Sequence, residues 1–301
     1  MRLPAWCKVA EYCLLSKKIL ALLRMLVSKE LYLAEEDFKS QHSSKCDLLI
    51  KITGTQCIYA IIDQLHDRIK ILAEHRIQNT DELKALLDSD ALFNYYYRKV
   101  KIALYTKKFT FIPHEVYNVN NLSAYSKFIQ AKPETVSVIP VKQAAIRNVT
   151  DLSHPFRELL QEKFPQARFY SQVETLIEPA IKHLQKEDGT YLHLHINQHN
   201  LELLATRNKQ VLLYNVYPAA TPDEFNYFLL LAIQQLNLSE TDTEVTLSGQ
   251  VDEQDEWYSR VQKYFHHIRF AGWNEMIHIP ELFNEIPAHR YFTLAGLNEC
   301  E

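Results

Sequence analysis

Glycine is scarce in this chain: five among 301 residues, at positions 54, 189, 249, 272 and 296. Neither GxGxxG nor GxxxxGKS/T can be written with that set, so the dinucleotide fingerprint and the P-loop, which need several glycines for close backbone approach to phosphate, are excluded. No GxSxG elbow and no HExxH helix occurs either. The five cysteines (7, 13, 46, 57 and 300) form no CxxC pair. An odd, scattered set fits a reducing cytoplasm better than a disulfide framework. Excess positive charge is missing as well: the formal net charge is −4, which leaves no electrostatic footprint for nucleic acid.

Long apolar runs are also absent. Residues 1–30 are basic, with Arg2, Lys8, Lys17, Lys18, Arg24 and Lys29 against two glutamates. Val9, Tyr12, Leu15, Ile19, Leu22, Leu23 and Leu26 recur at helical spacing, which predicts an amphipathic helix over 8–28. Lys17 and Lys18 break that run well short of the roughly 20 residues a bilayer span needs, and the same break argues against a signal peptide. Residues 1–46 therefore read as an extension ending in the polar stretch KSQHSSK (39–45), with membrane-surface or partner binding as the sharper alternative.

What is present is an ordinary globular composition, 47% hydrophobic and 23% charged, in a length that suits two medium domains. Segments 48–53 (LLIKIT), 57–62 (CIYAII) and 68–77 (RIKILAEHRI) read as a three-stranded antiparallel meander. A helix over 80–92, strands at 100–105 and 109–112, and a short helix near 123–130 follow. The order then recurs. Strands at 191–196, 201–206 and 210–217 lead into a helix from Pro222 to about 236, with Thr221 as N-cap. That helix is apolar nearly all round and is expected to be largely buried. A strand at 245–247, a helix at 255–264 and a strand at 268–270 close the second half. The pattern is α/β with a duplicated mixed sheet, two strand-strand-strand-helix-strand halves at 47–150 and 189–301, joined by a helical connection at 151–188.

That order resembles the actin, hexokinase and Hsp70 fold, the ribonuclease H-like actin-like ATPase architecture. Residues 88–117 (DSDALFNYYYRKVKIALYTKKFTFIPHEVY), 163–171 (KFPQARFYS), 211–236 (VLLYNVYPAATPDEFNYFLLLAIQQL) and 246–251 (TLSGQV) further resemble an uncharacterised family, mainly of Bacteroidetes, known as domain of unknown function 3822. The resemblance spans roughly 47–272. It implies an actin-like ATPase fold and supplies no established activity.

In that fold two hairpin turns of the form D-x-G-S/T face each other across a cleft, and a later glycine pair packs on adenosine. Glycine and Ser/Thr bring N–H groups to phosphate while the aspartates organise Mg²⁺ and water. The first turn here is Ile52-Thr53-Gly54-Thr55, with isoleucine in the carboxylate position. The second, His195-Ile196-Asn197-Gln198, lacks both aspartate and glycine. Ser248-Gly249 keeps one glycine of the adenosine element. The expected remnant of a nucleotide cleft is thus Gly54, Thr55, Asn197, Gln198, Ser248 and Gly249, with no catalytic residue, no metal ligand set and no required cofactor.

Other features read structurally. His193, His195 and His199 resemble a metal set but lack an adjacent acidic or cysteine partner. Tyr95-Tyr96-Tyr97 reads as a core-and-rim aromatic cluster rather than a base-stacking platform, and Asp88 and Asp90 suit capping. The expectation is a cytoplasmic, non-catalytic interaction or scaffold protein that binds another protein. The alternative is an ATP-Mg²⁺-binding protein or weak ATPase or kinase.

Overall fold

The computed structural model describes residues 29–197 and 199–301; the helix expected over 8–28 and Gln198 lie outside them. Six strands make the first sheet: β1 (Lys29–Ala34), β2 (Cys46–Ile52), β3 (Gln56–Asp63), β4 (Arg68–Arg76), β5 (Lys99–Leu104) and β9 (Arg168–Ser171), in the order β1-β4-β3-β2-β5-β9. Strands β2, β3 and β4 form the antiparallel meander, while β5 and β9 run parallel to β2. Helix α1 (Thr80–Ser89) makes the crossover from β4 to β5. Its N-cap is Asn79, whose Oδ1 accepts the Glu82 N–H at 2.9 Å.

Between β5 and β9 the chain inserts a small antiparallel sheet, β6 (Phe109–Pro113), β7 (Val136–Val141) and β8 (Ile146–Asp151), ordered β6-β8-β7. Helix α2 (Leu122–Phe128) lies between β6 and β7, and α3 (Arg157–Lys163) follows β8. Helix α4 (Gln172–Lys182) follows β9 and opens with a capping box between Ser171 and Glu174.

The second half repeats the first. Strands β10 (Thr190–Asn197), β11 (Asn200–Arg207), β12 (Gln210–Pro218), β13 (Thr243–Gly249) and β14 (His267–Phe270) are ordered β12-β11-β10-β13-β14, with β10, β13 and β14 parallel. Helix α5 (Pro222–Leu236) joins β12 to β13, α6 (Glu256–Gln262) joins β13 to β14, and α7 (Phe292–Glu299) comes last. Thr221 caps α5 in a capping box with Glu224.

Two differences from the sequence reading have physical causes. The first sheet takes in β1 upstream of position 47 and β9 downstream of 150, so the strand content of that half spreads beyond 47–150. Helix α5 is not largely buried: only Phe225, Leu229 and Ala232 are, and Tyr227 is 62% exposed. The sheet covers one side of the helix, Trp257 and Tyr264 meet a second, and the rest is left half-buried or exposed.

Alternation on the second sheet sorts its two faces. Leu192, Leu194, Ile196, Leu201, Leu203 and Ala205 form one core with Phe225 and Leu229 of α5. The opposite face carries His193, His195, Glu202, Leu204, Thr206 and Tyr214, all buried; its Leu204 and Tyr214 join the core of the first half. Helix α7 returns to the first half and lies against α4. A Cβ at Gly296 would stand 2.2 Å from the Thr175 carbonyl oxygen, so the two helices meet backbone to backbone. No helix among the described residues is long and apolar enough to cross a membrane.

Candidate functional site

The residues expected to face a nucleotide sit at the carboxyl ends of β2, β10 and β13, where open α/β sheets bind ligands. After β2 the chain turns tightly, with the Thr53 N–H donating to the Gln56 carbonyl at 2.9 Å. Gly54 and Thr55 are exposed on this turn, and a Cβ added at Gly54 meets nothing within 4 Å. Space does not require glycine there. Ile52 is 1% exposed and belongs to the core.

Asn197, Ser248 and Gly249 come together on the second sheet, where Ile196 pairs with Gly249 in the parallel β10–β13 ladder. Gly249 has φ +87, and a Cβ there would lie 2.0 Å from the Ile196 carbonyl oxygen. That oxygen accepts the Gln250 N–H at 2.7 Å. Glycine is therefore demanded at 249 by its own sheet, whether or not adenosine ever packs on it.

Behind these turns lies a band of buried polar side chains that draws on both halves. Ser248 Oγ stands 2.8 Å from both His193 Nε2 and His195 Nδ1. A hydroxyl donates once, so one ring accepts the serine proton and the other donates its N–H to the oxygen. Both rings are held neutral. Burial, then nearby Arg269, pushes His193 down to about 3. Burial, then Lys51 and His193, pushes His195 well below the usual imidazole range.

From the first half, Lys51 on β2 reaches inward and donates to Thr293 Oγ1 of α7 at 2.5 Å. Burial lowers its ammonium pKa, against the opposing pull of Glu202 and Glu74. Glu202 on β11 is fully buried and raised to about 7 by desolvation, with Lys51 and the Tyr214 hydroxyl acting the other way. The Tyr214 O–H donates to Glu202 Oε2 at 2.9 Å. Glu74 on β4 accepts from Gln56 Nε2 at 2.6 Å and from the Tyr291 hydroxyl at 3.1 Å. His195 Nε2 and Glu202 Oε1 are buried without a hydrogen-bond partner, a cost the surrounding packing must offset.

Chemically, this arrangement offers cations and neutral rings rather than a cluster of free, metal-holding carboxylates. Ile52 and His195, at the ends of β2 and β10, are both buried, and the acids that lie inside, Glu74 and Glu202, are engaged by the chain itself. Among the described residues no cluster of three or more His, Cys, Asp or Glu side chains is arranged to hold a metal ion. A cavity of about 250 Å³ is lined by Tyr170, Glu174, Glu178, Lys182 and Cys300 among others, and one of about 20 Å³ by His193, Thr206, Thr246, Arg269 and Phe292 among others. Neither is lined by Gly54, Thr55, Asn197, Ser248 or Gly249.

Sequence reasoning missed Lys51, Glu74, Glu202 and Tyr214. Their signal was a charged residue inside otherwise apolar strands (LLIKIT, LELLAT), a position that alternation assigns to solvent when only one face is assumed buried. The remaining readings were structural. Asp90 caps a 3₁₀ turn through Leu92 N–H and accepts from the Tyr59 hydroxyl at 2.5 Å. Tyr97 is buried, while Tyr96 is 79% exposed.

Two mixed sheets of one topology, each followed by a helix that packs at the junction of the halves, define the class: this is an actin-like ATPase fold. A Bacteroides thetaiotaomicron protein with that fold and unknown function aligns with a TM-score of 0.71 at 22% identity, over 88% of this chain and 99% of that one. The PilM–PilN type IV pilus biogenesis complex aligns with a TM-score of 0.58 at 12% identity, over 83% and 97%. Within the class, the chain belongs to the family described as protein of unknown function (DUF3822), whose model matches residues 35–268. No curated protein matches it.

Proposed function

We propose that this protein is a non-catalytic member of the actin-like class and acts by binding another protein. The reading is supported by Ile52 and His195, which stand where the family resemblance expects the two metal-organising carboxylates, and by the buried Lys51–Thr293 contact between the halves. Hydrolysis in this fold rests on metal positioning and charge stabilisation, and an isoleucine and a neutral imidazole supply neither. The likeness to PilM, a protein solved together with PilN, supports a partner-binding role by analogy of fold. Cys46, Cys57 and Cys300 are free and buried, which supports a cytoplasmic setting.

Thermal melting of the full chain with ATP and Mg²⁺ tests the reading. A ligand at a hundred times its Kd adds about 2.7 kcal/mol, a shift of several degrees for a chain of this size. No shift is expected at millimolar nucleotide. An upward shift that needs Mg²⁺ and disappears in Gly54→Val, a change the open turn accommodates, would return the protein to the nucleotide-binding class. Affinity capture from a native extract should retain a protein partner in stoichiometric amount, and recovery of none would sink the binding role.

A further inference from the structure

Buried polar atoms in a folded chain are nearly always hydrogen-bonded, so a group of unpartnered ones at one place points to a bound partner. Such a group lies on the inner face of the second sheet, against the first half. His195 on β10 and Glu202 on β11 are directly opposed in the antiparallel ladder and are 1% and 0% exposed. His195 Nε2 and Glu202 Oε1 have no hydrogen-bond partner. The Tyr105 hydroxyl, one residue beyond β5 in the first half, is buried without a partner as well. Burial, then the Glu202 charge, raises that hydroxyl, which puts Tyr105 in the neighbourhood of Glu202.

Directly opposed residues of an antiparallel pair hold their Cβ atoms about 4.5–5.5 Å apart. Two long side chains that leave such a pair toward one face, and miss a direct hydrogen bond, are within the span of one bridging molecule.

The neighbouring charges select that molecule. Lys51 acts on both residues, adding to the burial that keeps the His195 ring neutral and opposing the desolvation that raises Glu202. A metal ion would face the Lys51 ammonium, and an anion would face the Glu202 carboxylate. A neutral molecule that both donates and accepts suits the two together. Neither the cavity of about 250 Å³ nor that of about 20 Å³ is lined by His195, Glu202 or Tyr105, which limits the molecule to the size of water.

Water also gives the surrounding hydrogen bonds a single direction. With the Glu202 carboxylate accepting from the water, the water accepts from His195 Nε2–H. The His195 Nδ1 is then bare and accepts the Ser248 hydroxyl, 2.8 Å away, while Ser248 Oγ accepts the Nε2–H of His193, also at 2.8 Å. The other carboxylate oxygen, Glu202 Oε2, takes the Tyr214 O–H at 2.9 Å. Reversal would require the carboxylate to donate, which only its protonated form can do.

We propose that a water molecule binds between His195 Nε2 and Glu202 Oε1, receives the Tyr105 O–H from the first half, and completes a one-way chain of hydrogen bonds from His193 through Ser248 and His195 to Glu202.

Long-range nitrogen–proton correlation spectra of the full, isotope-labelled chain read the two tautomers, at a pH well above the value of about 7 for Glu202. Both His193 and His195 should carry their proton on Nε2, and the His195 Nε2–H should show a nuclear Overhauser contact to water. A crystal structure that resolves ordered water should place one within about 3.2 Å of both His195 Nε2 and Glu202 Oε1. Tyr105→Phe keeps the ring and removes one donor, so exchange of the His195 Nε2 proton with solvent should quicken about fivefold, the effect of losing one net hydrogen bond. A His195 proton on Nδ1, an Nε2–H without contact to water, or ordered waters that leave the two atoms unbridged overturns the proposal. Unchanged exchange in Tyr105→Phe overturns the role given to Tyr105.

Discussion

The buried Lys51–Glu202 couple should reveal itself through pH. Burial raises the Glu202 carboxyl to about 7, so it is almost fully charged near pH 8.5 and almost fully protonated near pH 5. Lys51 feels Glu202 as the larger of its two favourable charges. At an effective interior dielectric near 20, unit charges further apart than ion-pair distance couple by less than about 4 kcal/mol. A double-mutant cycle with Lys51→Met and Glu202→Gln should therefore give about 1–3 kcal/mol of coupling near pH 8.5 and close to none near pH 5. Urea unfolding of the four chains at the two pH values measures it. Each single change should be costly at the higher pH, because it strands a buried partner, and the double change should cost less than their sum. Equal coupling at both pH values, or strict additivity near pH 8.5, would refute an interior held together by that pair.

Other outcomes follow from the same structure. Gly249→Val should destabilise by about 2–4 kcal/mol, since it strains a positive φ and drives a Cβ into the Ile196 carbonyl, whereas Gly54→Ala on its open turn should stay within about 0.5 kcal/mol; paired denaturation curves decide both. Gly296→Leu should wedge α7 from α4 and lower the melting temperature, and a neutral result would contradict the backbone contact at Thr175. Glu174 is buried and raised to about 7 by desolvation. The stabilisation linked to its proton is complete below its ordinary 4.5 and lost as pH rises through about 7, a loss of up to about 3 kcal/mol that Glu174→Gln should remove. His193, lowered to about 3, works in the opposite sense: its contribution is full above 6.5 and drains away as pH falls towards 3, so His193→Leu should flatten the acid limb of the stability profile.

The duplication was legible because each half repeats the same alternation of strand and helix patterns, and Thr221-Pro222 announced α5 with its own cap. Strands β7 and β8 were not legible: VSVIPV holds a proline and IRNVTD is half polar, so neither shows a clean period of two. Helix α7 (FTLAGLNE) is short and holds a glycine, which local preference counts against a helix. Its packing on α4 overrides that preference and is the reason for the glycine. The turns at 54 and 249 were found, but only the structure shows that Gly54 is free and Gly249 is compelled. Lys51 and Glu202 stayed hidden because strand alternation says which residues share a face, not whether that face meets water or another half of the molecule. The apolar breadth of α5 was read as burial. Its outer side is instead half-buried to exposed, with Tyr227 at 62%.

Phosphate release from ATP with Mg²⁺ by the full chain tests the central claim most directly, because the claim is that Ile52 and His195 have removed the metal-organising chemistry of the fold. The account predicts release indistinguishable from a protein-free blank over a long single-turnover incubation. Saturable release that is abolished by Gly54→Val and by Lys51→Met would contradict it.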